Sequence, residues 1–157
     1  MPKTTGLAAS IVLIIGLALL GAIVYNVLGI ETTTKTEVSS EPDINIYIKS
    51  IEEGVDFGFV DQNNNPFDEI TINKGQIIKI TFENSGTVPH NFRITDNEIY
   101  DADVLFDSAI GSTEKPLLSE EIGTTTFVVN KSGTFNFICS IPGHIESGMS
   151  GKFIVEE

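Results

Sequence analysis

Phe137-Ile138-Cys139-Ser140-Ile141-Pro142-Gly143-His144-Ile145-Glu146-Ser147-Gly148-Met149 lies between two stretches of alternating apolar residues, Phe135 and Phe137 ahead of it and Phe153 and Val155 behind it. Alternation with a period of two marks a strand with one buried face. The quoted segment is therefore a loop between a strand ending near Cys139 and a final strand from Lys152, folded back on itself at Pro142-Gly143. It carries three soft donors: the Cys139 thiolate, the His144 imidazole and the Met149 thioether.

Working outward, the same alternation recurs at Ile44, Ile46 and Ile48 and at Ile78, Ile80 and Phe82. Turn residues fall between the runs, at Asn63-Asn64-Asn65-Pro66, Asn73-Lys74-Gly75, Asn84-Ser85-Gly86 and Asn130-Lys131-Ser132-Gly133. Several short strands at this spacing predict an all-β, two-sheet sandwich over residues 42–157. Asp96 to Gly123 breaks the pattern: alternation is weak and Asp96, Glu98, Asp101, Asp103 and Asp107 crowd its first part. It reads as a long connection with room for a helical turn. His90 follows the strand expected over Gln76 to Asn84, which carries it to the pole of the sandwich that holds the Cys139 loop.

Two imidazoles, one thiolate and a weak axial methionine form the trigonal set suited to electron-transferring copper. Zinc rarely recruits methionine, and calcium and magnesium take oxygen. The chain has two histidines, one cysteine and one methionine besides Met1, and a site of His90, Cys139, His144 and Met149 uses all of them. Taken singly, each has a plainer reading as a buried small hydrophobe, a capped histidine or core filler. The shared loop and the full use of the inventory favour the metal.

The segment resembles the cupredoxin family of blue copper proteins, in which a strand-borne histidine is followed far downstream by a Cys, His, Met loop beside the last strand. The resemblance covers roughly Ile44 to Val155. Val88-Pro89-His90-Asn91 is similar to the plastocyanin-type first ligand segment and Cys139-Ser140-Ile141-Pro142-Gly143-His144 to the azurin-type loop, while the spacing from His144 to Met149 is similar to that of rusticyanin and auracyanin. The resemblance implies a Greek-key sandwich holding one type 1 copper ion on His90, Cys139, His144 and Met149. It further implies that Asn91 ties the two ligand segments together through Ser140, and that the Cys139 thiolate accepts amide hydrogen bonds from Asn91 and Ile141. An apolar patch of Ile141, Pro142, Ile145 and Pro89 around the edge of His144 would be where electrons pass to partner redox proteins.

Composition limits the partners. With 22 acidic and 9 basic side chains, the net charge is −13, which repels a phosphate backbone and leaves nucleic acid a poor partner. A lone cysteine allows no internal disulfide. The acidic residues from Asp96 to Asp107 read as a solvated loop, with steering of a basic partner as the alternative. Asp61-Gln62-Asn63-Asn64-Asn65 hints at a calcium loop, but Pro66 replaces the turn glycine and Ile72 the closing glutamate. Asn130-Lys131-Ser132 matches the N-glycosylation acceptor pattern, which is weakly specific.

Leu7 to Ile30 is apolar or small except for Ser10, Tyr25 and Asn26, and as a helix it would span roughly 36 Å against about 30 Å of hydrocarbon. The expectation is a transmembrane helix within residues 1–30, in preference to a cleaved signal peptide, whose apolar run is shorter. Lys3 ahead of it favours a single-pass orientation in the cell membrane with the C-terminal domain outside the cytoplasm. Residues 31–41, ETTTKTEVSSE, form a Thr/Ser-rich linker that cannot bury enough surface to order itself.

The function expected is that of an electron carrier between redox proteins of a membrane chain, not an enzyme. A multicopper oxidase or nitrite reductase needs many more histidines than two, and a cysteine hydrolase lacks an orienting group placed by any motif. A copper delivery or storage protein would use the same ligands, and a structural adhesion domain would need none of them.

Overall fold

The structure is a computed structural model that describes residues 41–157. Eight strands make two four-stranded sheets: β1 (Ile44–Glu53), β2 (Asp56–Val60), β4 (Ile77–Glu83) and β6 (Ile122–Val128) in the order β2-β1-β4-β6, and β3 (Glu69–Asn73), β5 (Arg93–Thr95), β7 (Gly133–Ile138) and β8 (Ser150–Glu156) in the order β3-β8-β7-β5. The chain changes sheet at every connection from β2 to β7. β1 runs parallel to β4 and β3 parallel to β8. Two all-β layers are what the alternation required: Ile48, Ile78, Ile80, Phe82, Phe137 and Phe153 are fully buried between the sheets.

Four aromatic rings interlock in the core between the sheets. Phe59 meets Phe82, Phe92 and Phe137 edge-to-face, with centroids 5.8, 5.7 and 5.4 Å away. Such rings interlock instead of sliding, so the strands that carry the donors share a stiff floor.

The turns expected at Asn63 to Pro66 and Asn84 to Gly86 lie between strands, while that at Asn73 to Gly75 begins on the last residue of β3 and that at Asn130 to Gly133 ends on the first of β7. The long connection differs from expectation. It holds no helical turn and instead packs back on the sheets through isolated pairings. Leu105 donates its amide to Ile94, Ile110 exchanges both backbone bonds with Phe92, and Leu117 does the same with His90. Phe106, held at φ 59°, sets its ring 5.3 Å from Phe135 and 6.1 Å from Phe153. A left-handed backbone is costly for phenylalanine, and packing the half-buried ring against the core offsets it. The backbone bonds pair the free edge of β5 at Ile94 and the segment ahead of it at Phe92 and His90.

The transmembrane helix expected within residues 1–30, and the expected linker apart from Glu41, lie outside the described residues. Among the described residues no helix is long and apolar enough to cross a membrane.

Candidate metal centre

Register brings the donors together. β5 is antiparallel to β7 with Arg93 opposite Ile138, so stepping back from Arg93 and forward from Ile138 leads in one direction, to His90 and Cys139. β8 pairs Ser150 with Ile138, and the ladder continues one step as Cys139 donates its amide to the Met149 carbonyl at 3.1 Å. Within the loop, Met149 donates to the His144 carbonyl at 2.9 Å and His144 to the Ile141 carbonyl at 3.0 Å. Cys139, His144 and Met149 are thus joined through their backbones.

His90, Cys139 and His144 converge so that their donor atoms lie within 4.8 Å of one another. His90 Nδ1 is 3.1 Å from His144 Nδ1, and the Cys139 sulfur is 3.4 Å from His144 Nδ1 and 4.0 Å from His90 Nδ1. A point equidistant from three atoms at these separations is about 2 Å from each, the bond length of imidazole nitrogen to a first-row metal ion. Met149 is fully buried beside them in the core. Two imidazoles, a thiolate and a thioether are a soft, nitrogen–sulfur donor set that fits copper and not an oxygen-seeking cation.

Burial dominates the electrostatics. Desolvation pushes the Cys139 thiol above its ordinary pKa, opposed by the amides of Asn91 and Ile141 and by the charge of Arg93. It pushes both imidazoles below theirs; for His144 the charge of His90 adds to the effect, and Glu52 opposes it in both. Neutral imidazoles are what a metal needs, and a bound cation would lower the thiol's pKa.

Asn91 and Ser140 form the tie expected between the two segments, with three contacts between 2.8 and 3.3 Å. The Asn91 amide donates to the Cys139 sulfur at 3.4 Å. The Ile141 amide supports the thiolate's charge without a hydrogen bond of that quality.

Four further groups at the site are not marked as such by residue order. Phe57 lies against both imidazoles, 5.6 Å from His90 and 4.6 Å from His144 between ring centroids. Thr113, from the long connection, places its hydroxyl 3.1 Å from that of Ser140. Asn84, legible only as a turn residue, is fully buried and braces the loop to His90. Glu52 contacts His90 Nε2 at 3.2 Å; in sequence it is an ordinary acid near a hairpin.

At the surface, His90 is fully buried and His144 is 8% exposed. Of the expected apolar patch, Pro89 and Pro142 are exposed and Ile141 and Ile145 half-buried. Asp96, Glu98, Asp101, Asp103 and Asp107 are all exposed. The Asp61 carboxylate is satisfied by Asn63 and Asn65 of its own turn.

The family model described as copper binding proteins, plastocyanin/azurin family, matches residues 54–156. The chain is a cupredoxin. Plastocyanin of Sambucus nigra is 37% identical over 78 residues, covering 49% of this chain and 74% of its own. The copper-resistant cuproprotein CopI of Rubrivivax gelatinosus is 27% identical over 92 residues, covering 55% of this chain and 56% of its own. This cupredoxin therefore spans only about half the length of CopI. Among solved structures, reduced auracyanin from Roseiflexus castenholzii superposes with a TM-score of 0.55 at 23% identity, covering 72% of this chain and 97% of that one. The cofactor of such a domain is one type 1 copper ion, and members of the family are mostly electron carriers.

Proposed function

We propose that this cupredoxin holds one copper ion on His90 Nδ1, Cys139 Sγ and His144 Nδ1, with Met149 as a weaker axial ligand. It would shuttle single electrons between redox proteins outside the cytoplasmic membrane, tethered there by the apolar segment Leu7 to Ile30. The observation that carries the reading is the triangle of two imidazole nitrogens and one sulfur, of a size to surround one ion. Copper held there supplies one-electron chemistry between its cuprous and cupric states.

The residues suit that task. A carrier transfers fast when its site changes little on gaining an electron. Backbone bonds joining Cys139, His144 and Met149, and the Asn91–Ser140 tie, resist such change. His144, which keeps 8% of its surface exposed where His90 keeps none, offers an exit, and Ile141, Pro142 and Ile145 beside it in the loop give a small apolar surface suited to brief docking. Members of the family are mostly electron carriers, which favours a carrier over an enzyme.

A second reading, copper delivery or resistance at the cell surface, is favoured by the similarity to CopI. One experiment separates them. Copper(II) added to the purified full chain should give intense visible absorption from a copper–thiolate bond, with reversible one-electron cycling. A colourless protein that surrenders copper readily to chelators would replace the carrier reading by the delivery one.

A further inference from the structure

Glu52 stands near the end of β1, where an acidic side chain ordinarily points into water. Its side chain is only 18% exposed, and it collects four donors. Oε1 accepts the amides of Thr87 at 2.7 Å and Val88 at 2.9 Å, and Oε2 accepts the Thr87 hydroxyl at 2.8 Å. Oε1 is also 3.2 Å from His90 Nε2. Both carboxylate oxygens already accept from Thr87 and Val88; a carboxylate in that role only accepts, so the proton of the His90 contact belongs to the imidazole. A neutral His90 with its proton on Nε2 has its lone pair on Nδ1, the atom that faces Cys139 and His144.

The surroundings keep the carboxylate in place. A Cβ on Gly86 would stand 2.1 Å from Glu52 Oε1 and 2.6 Å from its Cδ. Gly86 is not among the residues at positive φ, so glycine serves there for space and not for conformation. Glu52 also precedes residues 54–156, so the family match assigns it no role.

We propose that Glu52 is the positioning residue of the copper site: it locks His90 in the tautomer whose Nδ1 can bind, and its fixed negative charge favours copper(II) over copper(I), which lowers the reduction potential. This rests on His90 being a ligand, as proposed above. The charge argument is Coulombic, since an anion one imidazole away stabilises the more highly charged ion, and partners of metal-bound histidine raise its basicity in the same sense.

Glu52→Gln isolates the charge. A glutamine oxygen can still accept from Thr87, Val88 and His90, and its amide can donate to the Thr87 hydroxyl, so every hydrogen bond can persist. Glu52→Ala removes the acceptor, and Gly86→Ala displaces it without altering any charge. In the metal-free full chain, nitrogen-15 NMR of the histidine rings should find the His90 proton on Nε2 in wild type and Glu52→Gln, with that preference lost in Glu52→Ala and Gly86→Ala. In the copper-loaded chain, Glu52→Gln should weaken copper(II) binding about tenfold relative to copper(I), read as a rise in potential of about 59 mV. An unchanged potential in Glu52→Gln, or an intact Nε2–H tautomer in Gly86→Ala, would overturn the proposal. Should Glu52→Ala not fold, Glu52→Gln, which keeps every partner, carries the test. If wild type forms no copper–thiolate band, the ligand assignment falls, while the metal-free tautomers still decide whether Glu52 positions His90.

Discussion

Asn91 and Ser140 clasp each other across the two donor-bearing segments: the Ser140 amide donates to Asn91 Oδ1 at 2.8 Å, and Asn91 Nδ2 donates to the Ser140 hydroxyl at 2.9 Å. Both residues are fully buried, and each directly follows a donor residue, so the clasp fixes the separation of His90 from Cys139. Asn91→Ala leaves the Ser140 amide without an acceptor in a dry site. An orphaned buried donor costs roughly 1–3 kcal/mol, and the lost bonds bring the expected destabilisation to about 2–4 kcal/mol. Urea unfolding of metal-free wild type and variant measures this. A loss under about 0.5 kcal/mol would mean that the clasp is dispensable.

The Cys139 sulfur accepts one well-formed amide bond, from Asn91, with the Ile141 amide adding to it. Proline at 141 removes the second donor and leaves the first. Weakening thiolate stabilisation by ~0.5–1 kcal/mol favours the cuprous state by roughly 20–40 mV for a one-electron couple. Ile141→Pro is therefore expected to raise the potential by that much in protein-film voltammetry. No rise would show that the Ile141 amide does not act on the sulfur.

Copper should stabilise the fold because the donor triangle exists only when the chain is folded. At one hundred times its dissociation constant a ligand adds about 2.7 kcal/mol, equivalent to about 5–10 °C in Tm for a domain of this size. Cys139→Ser keeps the side chain's shape but is a poor copper ligand, so it should lose both the visible absorption and most of the Tm shift. Calorimetry with and without copper checks this. An undiminished shift in Cys139→Ser would place the stabilising copper elsewhere on the protein.

Much of this architecture could be read from residue order because its causes are local. Ile78, Ile80 and Phe82 alternate because one face of β4 is buried, and Cys139, His144 and Met149 lie in one loop whose chemistry is visible from the residue types alone. What escaped depends on distant partners. β5 is only Arg93–Thr95, too short to show a period, and β6 reads as a polar run because, at the edge of its sheet, it buries fully only Phe127. Leu105, Phe106, Ile110 and Leu117 reach the core from an irregular connection, so no periodicity announces them. Glu52 looks like a solvated acid until the amides of Thr87 and Val88, 35 and 36 residues later, are folded onto it.

Asn84 shows the same dependence and yields the last prediction. Its side chain donates to the carbonyls of Val88 at 2.8 Å and Leu117 at 2.9 Å, and accepts from the Ser50 hydroxyl and the Gly86 amide at 3.0 Å each. It thereby joins β1, the loop that presents His90 and the long connection that pairs with His90. All four bonds are lost in Asn84→Ala, and the groups left behind are enclosed, so the expected destabilisation is about 3–4 kcal/mol. The loosening should be local first: amide hydrogen exchange at residues 85–90 should quicken more than at Phe135–Ile138 of β7, because opening the loop does not require separating the sheets. Copper transfer to a chelator should quicken in parallel, since His90 is the donor that this loop carries. Exchange rising equally in both segments would instead mean that Asn84 supports the whole sandwich and has no particular hold on the His90 loop.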